Sequence, residues 1–86
     1  MPHIPGANIT FHWDHVYGAT SYYLYVVKVS DGTSKFSSPV SYLNYFPVSG
    51  FPNDGTVYKW RMWTFNSGSG GTYSPGTPWQ YFINGP

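Results

Sequence analysis

No stretch of this chain keeps helical periodicity for long enough to form a helix, and that constrains the fold more than any other feature. Turn signals break the sequence at short intervals: "MPHIPGAN", "DHVYGATS", "SDGTS", "PNDG" and "SGSGGTYSPGTP". Their Gly, Pro, Asn and Asp residues favour tight backbone reversals. The runs between them alternate. "ITFHW" sets Ile9, Phe11 and Trp13 on one face and Thr10 and His12 on the other. "YYLYVVKV" is rich in β-formers, and "KFSSPVSYL" contains Pro39, which confines it to a sheet edge. "YFPVSGF" is short, "VYKWRMWTFN" is the longest run, and "WQYFIN" is the last. Short strands spaced by turns predict an all-β sandwich or barrel.

A single domain of 86 residues buries only roughly 60–65% of its unfolded surface, so its core must be dense. Aromatic residues, 22% of the chain, supply that density. Charged residues are scarce, 8% of the chain against about 25% in ordinary domains. The acids are Asp14, Asp31 and Asp54, and the bases are Lys28, Lys35, Lys59 and Arg61, for a net charge of +1. Such a balance gives no electrostatic case for nucleic acid or an anionic membrane. With no cysteine there is neither a disulfide scaffold nor a thiolate metal site. No apolar run approaches the ~18 residues of a membrane-spanning helix, and the N-terminus lacks the apolar stretch of a secretory signal. A secreted origin would place that signal outside this sequence.

Three segments, "ITFHWDHVYGATSYYLYVV", "VSGFPNDGTVYKWRMWTFNSG" and "PWQYFI", resemble the fibronectin type III-like modules of bacterial extracellular proteins. Trp13 stands in the second strand of that pattern, Phe51 at its leucine-type position before a turn, and Tyr58 at its tyrosine corner. The resemblance implies an antiparallel, immunoglobulin-like sandwich of two sheets and about six to seven strands. The first strand would be short or missing, since few residues precede Ile9. The implied organisation is a linker or partial first strand over 1–8, the module over 9–84 and a linker over 85–86. Trp13, Tyr58 and Trp60 would be structural core, with the Tyr58 hydroxyl bonded to backbone near Phe51–Asn53. Tyr22, Leu24, Val26, Phe46, Val48, Phe51, Met62, Tyr81 and Ile83 would also point inward. The location implied is extracellular or on the surface of a bacterial cell.

That parity leaves a second set of large side chains facing outward. Tyr23 and Tyr25 on the third strand of the family pattern would lie beside Arg61, Trp63 and Phe65 on its sixth, with Val27, Lys59, Gln80 and Phe82 flanking. Cross-strand aromatic pairs stabilise sheets by ~0.2–1 kcal/mol each, so the cluster has a purely structural reading. It also has two functional ones. A flat aromatic surface packs against the apolar face of a sugar ring, and an exposed apolar patch marks protein contacts.

Other chemistry is thin. His12, Asp14 and His15 in "HWDH" are metal-ligand types, but nothing in the pattern brings them to one point, and no metal or other cofactor is expected. Asp31 and Asp54 sit in turns, which leaves no pair of carboxylates for glycosidase chemistry. No serine lies in a nucleophile elbow, so no enzyme is expected. "NIT" at Asn8 is a glycosylation acceptor only in a eukaryotic source. The expected function is a non-catalytic extracellular module, a spacer that binds polysaccharide weakly through the aromatic face. The alternatives are a self-associating repeat of a fibre or surface layer, and an adhesin-like module that binds protein.

Overall fold

The computed structural model describes residues 1–40, 43–66, 72–73 and 77–86. Much of "SGSGGTYSPGTP", read above as a turn segment, lies outside these residues. The described chain is all β: β1 (Ile9–His12), β2 (Ser21–Lys28), β3 (Ser34–Val40), β4 (Tyr45–Val48), β5 (Thr56–Asn66), β6 (Thr72–Tyr73) and β7 (Gln80–Asn84). The six alternating runs all become strands, and the short β6 is an addition that its glycine-rich surroundings conceal.

Two antiparallel sheets enclose the core. One is the pair β1–β4, with Ile9 opposite Val48 and Phe11 opposite Phe46. The other runs β3-β2-β5, and β7 and β6 share the far flank of β5, opposite Thr56–Trp60 and Phe65–Asn66 respectively. This is an immunoglobulin-like sandwich without a full first strand. The alternation in β2 explains its burial, because Tyr22, Leu24 and Val26 point into the core and are almost inaccessible. Ile9, Phe11, Ala19, Val40, Val48, Phe51, Tyr58, Met62 and Phe82 join them in the cluster. The rings interlock edge to face. Phe11 meets Trp60 at a centroid distance of 5.1 Å, and Phe51 meets Tyr58 at 5.1 Å with planes 89° apart.

Three core expectations need correction. Trp13 and Trp60 pack against the cluster but are only half-buried. Trp13 lies one residue past the end of β1. Its ring meets Tyr22 edge-on at 5.6 Å. Tyr58 is buried as expected, yet no hydrogen bond joins its hydroxyl to Phe51–Asn53. The tyrosine that holds backbone is Tyr22, whose hydroxyl accepts from the Val16 N–H at 3.0 Å and lies 3.1 Å from His15 Nδ1. The parity of β7 is opposite to expectation. Phe82 sits across from Tyr58 and is buried, while Tyr81 sits across from Lys59 and is exposed. "WQYFIN" has aromatics on both faces, so alternation could not choose its register, and a slip of one residue exchanges the faces.

The N-terminal segment does not pair with β1. It lies parallel to β7: the Ile4 N–H donates to the Ile83 carbonyl at 2.8 Å, and the Ile83 N–H to the Pro2 carbonyl at 2.9 Å. Asn84, wholly buried, secures this contact. Its Nδ2 donates to the carbonyls of Ile4 and Gly6, both at 3.0 Å, and its Oδ1 accepts from the Asn53 N–H at 2.6 Å. Asn53 has a φ of 56°, a left-handed conformation that asparagine tolerates, and its Oδ1 accepts from the Gly6 N–H. Beside it, Gly85 lies so close to Gly55 that a Cβ would fall 2.9 Å from the Gly55 nitrogen, which only glycine permits.

The turns are set by carboxylates. Asp31 Oδ1 accepts from the Thr33 N–H, and Asp54 Oδ1 accepts from both the Thr56 hydroxyl and the Thr56 N–H. These bonds hold both carboxyls below their usual range, because they favour the charged form. Burial raises the Tyr58 hydroxyl above its ordinary value, and the charges of Asp54 and Asp31 add to the effect.

Candidate binding face

Pairing between β2 and β5 assembles the outward cluster. Tyr23 lies opposite Trp63, Tyr25 opposite Arg61, Val27 opposite Lys59 and Ser21 opposite Phe65. Residues directly opposite on antiparallel strands share a face, so Tyr23, Tyr25, Arg61, Trp63 and Phe65 all stand on the outer surface of the larger sheet. All five are half-buried, and Val27 on the same face is fully buried.

The rings form a connected array. Tyr25 stacks on Trp63 at 5.6 Å with planes 26° apart, and Tyr23 meets Trp63 edge-on at 5.5 Å. Trp79, just before β7, approaches Tyr25 at 5.8 Å. The Arg61 guanidinium bridges the two indoles, 4.6 Å from the Trp63 ring and 4.4 Å from the Trp79 ring. Lys59 Nζ lies 4.4 Å from Trp79. Each such contact contributes ~0.5–2 kcal/mol, depending on how well water is excluded. Arg61 Nε is buried with no hydrogen-bond partner. The guanidinium is therefore held by ring faces, and it fixes the spacing of the indoles.

Across β3, β2 and β5 the face dips into a shallow groove of about 550 Å³, lined by Tyr23, Tyr25, Trp63, Ser34 and Ser37. The Tyr23 hydroxyl meets Ser37 Oγ at 2.5 Å and fixes the ring at the groove's edge. The combination is apolar ring surface with hydroxyls at its margin, in a volume typical of small-ligand sites.

Trp79 is the member that the sequence reading missed. Its place follows from the β7 register, which alternation could not choose: with Phe82 inward, Tyr81 and Trp79 turn outward with Lys59 and Arg61. The places expected for Gln80 and Phe82 on this face fall instead to Trp79 and Tyr81. Trp63, half-buried, is held by three neighbours, Tyr23, Tyr25 and Arg61. Among the described residues, no group of His and Asp side chains converges as a metal site would require, and the "HWDH" histidines diverge: His12 faces Tyr45 and His15 faces Tyr22.

What the fold and this face define is a small β-sandwich that carries an aromatic groove on its larger sheet. No protein-family model and no curated protein sequence matches the chain.

Proposed function

We propose that the chain is a non-catalytic extracellular module that binds polysaccharide weakly through the groove of Tyr23, Tyr25 and Trp63. The observation that carries this reading is the groove itself: aromatic surface open to solvent, bordered by the Ser34 and Ser37 hydroxyls. A sugar presents an apolar C–H face and equatorial hydroxyls, and both would find partners there. The open shape suits a polymer passing across the strands rather than an enclosed small molecule. Asp31 and Asp54 are committed to turns, which favours binding over hydrolysis. Two antiparallel sheets of short strands are the architecture that the resemblance to fibronectin type III-like modules implies, and such modules serve as spacers between other domains.

The test is retention of the protein by a panel of insoluble polysaccharides, followed by affinity electrophoresis on soluble ones. Wild type is retained, and Trp63→Ala loses retention by at least about tenfold while still melting cooperatively. The variant also loses its contacts with Tyr23, Tyr25 and Arg61, so a fall of about 1–2 kcal/mol in stability is expected. Equal retention of wild type and Trp63→Ala, or no retention on any polysaccharide, overturns the reading.

A further inference from the structure

Among the described residues, the backbone of β1 has a partner on one side only, that of β4, and the bonding pattern shows which groups lie on the other. The Trp13 N–H donates to the Asn44 carbonyl at 3.0 Å, in the same register that sets Phe11 opposite Phe46 and Ile9 opposite Val48. In an antiparallel ladder, bonded and non-bonded pairs alternate. Phe11 and Ile9 therefore bond to β4, and the N–H and C=O of Thr10 and His12 point the other way. Among the described residues, neither has a hydrogen-bond partner on that side.

The outer edges of β4, β3 and β7 are guarded. Pro47 lies opposite Thr10 on β4, in a non-bonded pair, so the outer side of β4 lacks a donor there. Pro39 interrupts the edge strand β3. The outer side of β7 is taken by the segment Pro2–Ile4. Proline and covering segments are the usual means of blocking strand-to-strand association. Among the described outer edges of β1, β3, β4 and β7, that of β1 alone is free of proline, charge and covering chain.

We propose that this edge pairs with β1 of a second copy of the chain, antiparallel about a two-fold axis. Thr10 and His12 are separated by one residue, so the axis passes at Phe11. Thr10 of each copy then exchanges both backbone bonds with His12 of the other. All four outward-pointing groups on each strand are satisfied, and the strands join into one sheet in the order β4-β1-β1-β4. The edge is complementary to itself, which a symmetric dimer requires. Ile9–His12 bears no Lys or Asp, so no like charges meet across the axis. A four-residue strand buries far less than the ~1,200 Å² of a stable interface, so the pairing is weak, and it gains strength where several modules share one chain. The contact lies on the smaller sheet, away from the aromatic groove, so the two can operate independently.

The experiment combines sedimentation equilibrium with amide hydrogen exchange on the full chain, at concentrations from micromolar to millimolar. Wild type dimerises reversibly, and the amides of Thr10 and His12 become protected as concentration rises. Thr10→Pro removes one outward donor and leaves the β1–β4 bonds in place, so the dissociation constant rises at least about tenfold. The double variant Thr10→Lys/His12→Lys retains the backbone donors but sets like charges across the axis, and it stays monomeric even if Thr10→Pro fails to fold. A wild type that remains monomeric at millimolar concentration overturns the proposal. So does a dimer that persists unchanged in the double variant, which would place the contact elsewhere.

Discussion

Two tyrosines show how far a hydroxyl's role depends on what it can reach. Tyr22 and Tyr58 are both buried, but only the Tyr22 hydroxyl holds a backbone N–H, that of Val16. Tyr22→Phe should lose about 1 kcal/mol, the usual net value of such a bond, measured by urea unfolding. Tyr58→Phe should be nearly neutral at pH 7, because the Tyr58 ring packs against Phe51 and Phe82 while its hydroxyl has no hydrogen-bond partner among the described residues. Equal losses in the two variants would contradict this assignment. Asn84 makes the same point for an amide. Nothing in "WQYFIN" marks it as the buried centre of three hydrogen bonds, since its partners come from Ile4, Gly6 and Asn53, distant in sequence.

For the strands, legibility followed the clarity of alternation. In β2 and β5 the inward and outward sets are each consistent over many residues, so their pairing and the outward cluster were readable before the fold was known. In β7 five residues offered aromatics to both faces, and the register came from tertiary contacts: Phe82 fits between Phe11, Phe51 and Tyr58, where Tyr81 would have to bury a hydroxyl. Phe82→Ala should therefore cost about 3–5 kcal/mol and leave the domain largely unfolded at 25 °C. Tyr81→Ala should cost less than about 1 kcal/mol. Chemical denaturation of the pair distinguishes the two registers directly, since the opposite ranking belongs to the opposite parity. The groove was less legible than the cluster. Its shape depends on Ser34 and Ser37 of β3, and their position follows from a register shift between Val26 and Val27 that no sequence pattern announces.

The whole molecule should be stable over a wide plateau of pH, with different groups setting its limits. Asp31 and Asp54 have carboxyl pKa values in the folded state below their unfolded ones, near 3.9. Their contribution is present above that value and is lost as pH falls through the folded values. Tyr58 behaves in the opposite sense. Its folded pKa is raised, so its contribution is present below about 10 and is lost as pH rises further, because the unfolded chain ionises first. Thermal melts from pH 2 to 12 should fall at both ends, and Tyr58→Phe should reduce the alkaline decline alone. The parallel contact between the first residues and β7 has a mechanical meaning as well. Parallel strands drawn apart by their opposite ends slide along each other, so their hydrogen bonds are loaded together rather than opened one at a time. A load carried through the module from Met1 to Pro86 falls on the bonds between Pro2, Ile4 and Ile83, with the Asn84 amide in support. Single-molecule stretching from the two ends should give a lower rupture force for Asn84→Ala than for wild type, and stretching across β3 and β5 should show no such difference. A spacer built this way would resist tension along its own chain.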